Sequence, residues 1–142
     1  MDRPAPGLRA SYRHFIPVTT RWMDNDVFGH VNNVIYYSLF DTAVTSLLVG
    51  AQLLDWRQGV QMMVVAESGC RYHRSVAFPD PLDVGLRVAR LGTSSVRYEL
   101  GVFGADGPAA AEGFFIHICV DSATRRPVPL PDLWRTALAA FG

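Results

Sequence analysis

The distribution of apolar and polar residues predicts one long helix near the start of the chain. Residues 33–49 are almost entirely apolar, and we expect an α-helix there of about 25 Å that is enclosed by protein on most of its sides. Asn32 or Asn33 is suited to cap its N-terminus, and Gly50 is suited to end it. The few polar residues recur at helical spacing and share one narrow side: Ser38, Asp41, Thr42, Thr45 and Ser46.

The pattern then changes to the alternation that is typical of strands. Four successive strands are predicted, separated by turns rich in Gly, Pro and Asp, over residues 61–78, 82–91, 95–103 and 110–120. A connection over 55–59 precedes them. An earlier strand over 12–22 contains Pro17, which cannot donate to a ladder, so we expect that strand near a sheet edge. A short helix over 131–141 ends the chain.

These elements predict an α+β fold in which an antiparallel five-stranded sheet holds one long helix. The length of 142 residues suits a single domain over residues 1–142, with residues 1–10 as a loose arm because of their prolines and glycine. Three apolar residues, Phe103, Phe115 and Cys119, are predicted to share sheet faces with charged residues. We therefore expect part of the outer sheet surface to lie in a homodimer or homotetramer interface.

Charge and hydropathy exclude several classes of protein. Thirteen acidic and thirteen basic residues give a net charge of zero, so no field attracts nucleic acid or an anionic membrane surface. The stretch Thr42 to Leu54 has no formal charge, but its 13 residues fall short of the about 20 that a membrane span needs. The N-terminus lacks a secretory apolar run, and Cys70 and Cys119 suit reduced buried thiols, so we expect a cytoplasmic protein.

The residues that could carry chemistry are concentrated between Trp22 and Asn33. Two carboxylates, a histidine, a glycine and two asparagines lie directly before the apolar helix: Asp24, Asp26, Gly29, His30, Asn32 and Asn33. Polar groups next to buried apolar sequence are costly unless they are hydrogen-bonded or functional. From spacing alone, a turn-capping role for Asp26 is favoured over a catalytic one.

This segment resembles the hotdog-fold acyl-CoA thioesterases, and in particular the 4-hydroxybenzoyl-CoA thioesterase-like family. The similarity spans roughly residues 12 to 133 and rests on four short motifs: Arg21-Trp22-Met23-Asp24-Asn25-Asp26, Gly29-His30-Val31-Asn32-Asn33, Val65-Ala66-Glu67, and Val120-Asp121 through Pro131. The similarity to the family also includes five single residues: Tyr36, Phe40, Asp41, Tyr72 and Asp80. The chain departs from the family pattern at Val27 and Pro79, and neither position removes a catalytic group.

The resemblance implies hydrolysis of an acyl-CoA thioester to a free acid and coenzyme A, with no metal and no further cofactor, since coenzyme A is part of the substrate. It also implies that Asp26 is the catalytic carboxylate and that the main-chain amide near Asn33 faces the thioester carbonyl. Helix N-termini carry unsatisfied N–H groups and a partial positive charge, which suits an oxyanion. Asp26 could attack the thioester directly or could activate water.

Other residues have both a structural and a functional interpretation. His30 is either a loop histidine bonded to its turn or a polar wall that orients substrate, whereas Asp24 suits an Asx turn. Gly29 is expected to supply a backbone conformation that other residues avoid, and Asn32 and Asn33 can both cap the helix and bind substrate.

More distant residues complete the expected site. Glu67 either lines the substrate cavity or, as the simpler interpretation, pairs with an arginine. Arg74 with Ser75 is the preferred contact for the phosphates of coenzyme A. His117, between two isoleucines, is predicted to be a hydrogen-bonded core or interface residue.

Two alternatives remain open from the sequence. A non-catalytic protein that binds acyl thioesters or acyl carrier protein could retain the same cavity. An enoyl-thioester hydratase is less compatible, because such enzymes carry an Asp-x-Asn-Pro-x-x-His type motif and no proline lies between Asp24 and Asn33.

Overall fold

A five-stranded antiparallel sheet packed against one long helix forms the body of the protein. The structure is a computed structural model that describes residues 2–54, 57 and 59–142. The strands are β1 (His14–Val18), β2 (Gln61–Tyr72), β3 (Leu82–Leu91), β4 (Ser95–Phe103) and β5 (Ala111–Asp121), and the helices are α1 (Asn33–Gly50) and α2 (Asp132–Ala139). This is the predicted α+β hotdog architecture.

The sheet has the order β1-β3-β4-β5-β2, and every neighbouring pair is antiparallel. β1, which contains Pro17, lies at one edge as predicted, and β2 forms the opposite edge. β2 is followed in the chain by β3 but pairs with β5, so the loop over 73–81 crosses to the far side of the sheet. β2 is also shorter than predicted and ends at Tyr72.

The core lies between α1 and the inner face of the sheet. α1 contributes one buried face, with Tyr36, Phe40, Ala43, Val44, Leu47 and Leu48 at helical spacing. β3 and β4 contribute alternate residues that are almost completely buried: Val84, Leu86, Val88, Val96, Tyr98, Leu100 and Val102. The helix is not enclosed on most of its sides within one chain, because Val34 and Val49 remain exposed beside the polar positions.

The apolar residues expected at a subunit interface are buried within the chain instead. Phe103 and Cys119 have no exposed surface, and Phe115 retains only 4%. Phe115 faces α1, where it packs against Tyr37 and Phe40, and Phe103 is covered on the outer face by Tyr12. The interface prediction for these residues is therefore wrong, because the chain supplies its own cover.

The N-terminal segment provides that outer cover. Residues 2–10, expected to be a loose arm, follow the sheet: Gly7 N–H donates to Glu112 Oε1 over 2.9 Å, and Arg9 pairs with Asp83 at 2.9 Å. Tyr12 also donates its hydroxyl to Glu112. Burial alone would raise the pKa of Glu112, but the hydrogen bonds from Tyr12, Gly7 and His73 outweigh it and leave that pKa below its usual value.

Two further sequence expectations concern the ends of α1 and the membrane. Of the two predicted caps, Asn32 and Asn33, the structure uses Asn32, and Gly50 is the last residue of α1. Part of the predicted connection over 55–59 lies outside the described residues. Within the described part of the chain, no helix combines the length and apolar character needed to cross a bilayer.

Candidate active site

The polar segment before α1 forms a short 3-10 turn, Trp22–Asp24, followed by a tight loop. Asp24 is 3% exposed, and its carboxylate accepts hydrogen bonds from the Arg21 backbone N–H (2.8 Å) and from the Arg21 guanidinium (2.9 Å). Asp24 thus holds the entry to the loop. It bonds backward to Arg21 and does not form the Asx turn expected from the sequence.

The loop itself reverses the chain between Asp26 and His30. Asp26 N–H donates to the His30 carbonyl (2.9 Å), and Gly29 N–H donates to the Asp26 carbonyl (3.0 Å). Gly29 has φ +81°, a left-handed conformation that side-chain-bearing residues rarely adopt, as the sequence predicted. The turn presents the Asp26 side chain toward the start of α1.

The carboxylate of Asp26 is held by two hydrogen bonds from its own loop. Phe28 N–H donates to Oδ1 over 2.9 Å, and the Asn32 side-chain amide donates to Oδ2 over 3.3 Å. Asp26 therefore does cap its own loop, as one of its two interpretations from the sequence predicted. These contacts also fix the direction of a half-buried carboxylate that borders a pocket.

The N-terminus of α1 lies directly beside this carboxylate. Asn32 Oδ1 accepts from Val34 N–H at 3.1 Å, and the Asn32 carbonyl accepts from Ile35 N–H at 3.0 Å. The N–H of Asn33 has no acceptor among the described residues. The Tyr72 hydroxyl donates to the Asn33 carbonyl over 3.1 Å, so the first turn is tied to β2. One main-chain donor thus remains free at the positive end of the helix.

Replacing Asn32 with alanine is expected to reduce the free energy of unfolding by about 1 kcal/mol, since it removes a helix cap. It also removes the amide donor to Asp26, so activity should fall with stability. Urea denaturation would measure the stability change. Asn32→Ser keeps a capping oxygen without adding a charge beside Asp26 and loses that donor, so it should retain most of the stability; a loss equal to that of Asn32→Ala would contradict the capping role.

A pocket of about 360 Å³ opens where the loop, α1 and the end of β2 meet. Its lining brings together four residues that the sequence analysis selected: Asp26, Asn33, Arg74 and Ser75. Two loops that are distant in sequence converge here because Val31 N–H donates to the Val76 carbonyl (2.8 Å) and Phe78 N–H donates to Asn25 Oδ1 (3.0 Å).

Arg74 and Ser75 form the exposed rim of this pocket. The Arg74 guanidinium donates to the carbonyls of Asp106 and Pro108, each over 3.3 Å, and makes no ion pair with a carboxylate of the described residues. Its positive charge is therefore not neutralised locally. His73, deeper in the lining, lies 3.1 Å from Glu112 Oε1 through its Nε2 atom.

The other predicted site residues do not line this pocket within one chain. His30 and Glu67 are exposed, while Gly29 and Asn32 act through the shape of the loop and through the contact with Asp26. Glu67 makes no ion pair with a described residue, so the expected arginine partner is absent. Within one chain it lies exposed next to a register shift on the edge strand β2, where water can solvate its charge.

Four lining residues were not selected as site residues from the sequence: Val31, Tyr36, Tyr72 and His73. Tyr36 and Tyr72 pack edge to face at 5.1 Å between ring centroids, and burial raises the pKa of both hydroxyls. The alternation of residues in β2 places Cys70 and Tyr72 on one face of the strand, and this pattern could have suggested Tyr72 as a site residue. The sequence pattern does not show that this face meets the N-terminus of α1.

The described residues contain no cluster of three or more His, Cys, Asp or Glu side chains that could hold a metal ion. The groups at the pocket are instead a carboxylate, a free main-chain N–H, hydroxyls and a guanidinium. Such a set can position a carbonyl carbon between a nucleophile or base and an oxyanion donor.

Comparison with known proteins agrees with this arrangement. A family model described as the thioesterase-like superfamily matches residues 18–138. The chain belongs to the thioesterase-like superfamily. The matched residues contain the loop, α1 and all the residues that line the pocket.

Solved structures with this fold superimpose over nearly the whole chain. The PA5185 protein of Pseudomonas aeruginosa is 48% identical with a TM-score of 0.92, and the alignment covers 96% of each chain. A Thermus thermophilus thioesterase, crystallised with coenzyme A and Zn, is 31% identical with a TM-score of 0.74, covering 89% of this chain and 92% of that one. A 1,4-dihydroxy-2-naphthoyl-CoA thioesterase from Synechocystis, 19% identical over 88% of this chain and 94% of that one, shares the fold with a TM-score of 0.81.

Proposed function

We propose that this member of the thioesterase-like superfamily hydrolyses an acyl-CoA thioester to a free acid and coenzyme A. The observation that carries the proposal is the meeting of the Asp26 carboxylate and the free N–H of Asn33 at one pocket. Neither feature alone would indicate catalysis, because a carboxylate can serve as a loop cap and many helix N-termini have no catalytic role. Their convergence beside a pocket supports catalysis of acyl transfer.

In the proposed reaction the thioester carbonyl oxygen accepts a hydrogen bond from Asn33 N–H. Asp26 then either attacks the carbonyl carbon, giving a mixed anhydride that water hydrolyses, or removes a proton from a water molecule that attacks instead. In both routes the C–S bond breaks and the thiolate of coenzyme A leaves and takes up a proton. The reaction consumes one water and needs no resident metal or cofactor.

The rim of the pocket supports coenzyme A as the carrier group. Arg74 offers an unneutralised guanidinium with Ser75 beside it, and such groups bind phosphate oxygens well. The related Thermus thermophilus thioesterase was crystallised with coenzyme A. We therefore place the nucleotide half of the substrate outside the pocket, toward the hairpin that contains Asp106.

The direct test is thiol release from a panel of short-chain, medium-chain, long-chain and aromatic acyl-CoA substrates. Hydrolysis of at least one substrate that depends on Asp26 would support the proposal. Measurable acyl-CoA binding without hydrolysis across the panel would favour the non-catalytic binder instead. Hydration of an enoyl-CoA, measured as the loss of absorbance of its conjugated double bond, would indicate the hydratase alternative.

The protein is also proposed to assemble as a homodimer or homotetramer through β2. This edge strand has twelve residues, and its central residues Val65 to Ser68 are exposed with unpaired backbone groups on one side. A long edge strand with exposed apolar residues tends to pair with another chain. The open side of α1 and the exposed loop residues Trp22, Met23, Val27 and Phe28 supply further apolar surface.

Replacing Val65 with lysine should shift the oligomer toward monomer, because the charge would be buried when the edges pair. Light scattering at micromolar concentration would measure the mass. Leu133→Lys is the matched control: Leu133 is similarly exposed but lies on α2, and its variant should keep the oligomeric mass. A monomeric parent protein would refute the assembly.

A further inference from the structure

A groove of about 780 Å³ lies on the outer face of the sheet, which is the face opposite α1. Its floor includes a row of residues that lie directly opposite one another across β2, β5, β4 and β3: Gly69, Phe114, Glu99 and Arg87. The N-terminal segment forms one wall, with Arg3, Pro4, Ala5 and Gly7. We call this space the outer groove. Only Tyr72 borders both it and the pocket of Asp26.

The lining of the outer groove has an excess of positive charge. Four guanidiniums and two carboxylates line it, which leaves two positive charges in excess: Arg3, Arg71, Arg87 and Arg97 against Glu99 and Glu112. The whole chain has no net charge, so this excess is local. The Arg71 guanidinium has no hydrogen-bond or ionic partner among the described residues. The Arg3 guanidinium donates to the Tyr72 carbonyl over 2.6 Å and pairs with no carboxylate of the described chain.

The other two guanidiniums of the outer groove are held in fixed orientations. Arg87 donates to Glu99 Oε2 over 2.7 Å and to the Ser11 carbonyl over 2.8 Å. The Arg97 guanidinium lies over the ring of Phe114, 4.1 Å from the ring centroid, and its Nε atom is 3.5 Å from Glu99 Oε1. One carboxylate thus serves two guanidiniums. Because these groups are already oriented, a ligand would lose little free energy in ordering them.

These charges and surfaces favour a ligand that carries phosphate on a planar body. Guanidinium forks match phosphate oxygens, and a multiply charged anion complements the local positive excess. The stacked pair of Arg97 and Phe114 presents a flat surface, and nucleobases stack on such guanidinium and aromatic planes. The Glu112 carboxylate already accepts hydrogen bonds from the Tyr12 hydroxyl and Gly7 N–H, so it does not require donors from the ligand.

We infer that the outer groove is a second binding site of this protein and that its ligand is a nucleotide. The phosphates bind at Arg3 and Arg71, and the base stacks on Arg97. A nucleotide can be a free molecule or the nucleotide half of coenzyme A, and both share this chemistry. The site goes beyond the proposed hydrolysis at Asp26, and its occupancy can be measured without any hydrolysis.

Isothermal titration of the full chain with ADP and with adenosine tests the phosphate contacts. The parent should bind ADP about tenfold more tightly than adenosine, because only ADP carries phosphate. Arg71→Gln should lower ADP affinity about tenfold without loss of stability, since this guanidinium has no partner in the described chain. Arg90→Gln is the matched control: Arg90 is exposed on β3 outside the groove, so its variant should keep the parent affinity.

Arg97→Lys tests the position of the base, because lysine keeps the charge and loses the planar group. The variant should bind ADP about fivefold more weakly than the parent does. Its affinity for inorganic pyrophosphate, which has no base, should be unchanged. Equal losses of ADP and pyrophosphate affinity would overturn the position given to the base. Thermal unfolding of the variant checks that the fold is retained.

Several results would overturn the outer groove as a nucleotide site. These are no ADP binding by the parent, equal affinity for ADP and adenosine, or equal losses of ADP affinity in Arg71→Gln and Arg90→Gln. Arg74→Gln removes the same charge at the rim of the Asp26 pocket. A loss of ADP affinity in Arg74→Gln and none in Arg71→Gln would place the nucleotide at that rim and also overturn the inference.

Competition with coenzyme A identifies the source of the nucleotide. Displacement of ADP by coenzyme A, together with a higher KM for acyl-CoA in Arg71→Gln, would assign the groove to the nucleotide half of the coenzyme. ADP binding that persists at saturating coenzyme A would assign it to a free nucleotide. Either result supports the site. A protein that binds ADP in this groove and hydrolyses no acyl-CoA would refute the thioesterase proposal alone, whereas hydrolysis without ADP binding would refute the groove alone.

Discussion

Replacing Asp26 with asparagine is expected to lower kcat about 10³-fold, with little change in stability, because it removes the carboxylate and preserves its shape. The asparagine oxygen can still accept from Phe28 N–H, so only the longer 3.3 Å contact with Asn32 is lost. Thiol release on the best substrate of the panel measures the rate, and thermal unfolding checks the fold.

The matched control is Asp24→Asn, the same change two residues earlier in the same loop. Asp24 is buried and bonded to Arg21 and does not border the pocket, so its loss should reduce stability far more than Asp26→Asn does. Its effect on kcat should be much smaller than 10³-fold. Equal kcat in the parent and Asp26→Asn would remove Asp26 from the mechanism.

Replacing Asn33 with proline should lower kcat about 10²–10³-fold, since proline has no N–H to donate to the oxyanion. The backbone is suited to this change. Asn33 is the first residue of α1, where proline is favoured, and Asn32 has φ −62° and ψ 142°, the extended conformation that precedes proline readily. The variant should therefore fold with nearly unchanged stability, which chemical denaturation can verify.

Asn33→Ala is the matched control because it keeps the N–H and removes the side chain. Its kcat should stay within a few-fold of the parent. If the alanine variant loses as much activity as the proline variant, the side chain and not the backbone is the important group. If the proline variant keeps its activity, the oxyanion is stabilised elsewhere.

The loop contacts of Asp26 are compatible with the catalytic role proposed for it. Hydrogen bonds from Phe28 N–H and the Asn32 amide fix the direction of the carboxylate, and the proposed acyl transfer requires such preorganisation. Each oxygen also retains acceptor capacity beyond one hydrogen bond. A cap of the loop and a reacting group can therefore be the same side chain.

Several features follow from local periodicity and turn chemistry, and these could be predicted before the structure. The boundaries of β3 and β4 match the alternation residue for residue, and α1 extends one residue beyond its predicted end at Val49. An asparagine cap, at Asn32 or Asn33, and the left-handed Gly29 also follow from residue type alone. These features require information only from neighbouring positions along the chain.

Tertiary structure alone decided which distant groups meet and which remain unpaired. Arg74 and Ser75 line the same pocket as Asp26 because the loop after β2 is hydrogen-bonded to the loop before α1. Tyr72 contacts Asn33 because β2 passes the start of the helix. Phe103 is covered by the N-terminal segment, and His117 is buried with neither ring nitrogen hydrogen-bonded to a described residue. Hydrophobic periodicity reports which face of an element is buried, but burial is non-directional and does not identify the element that covers that face.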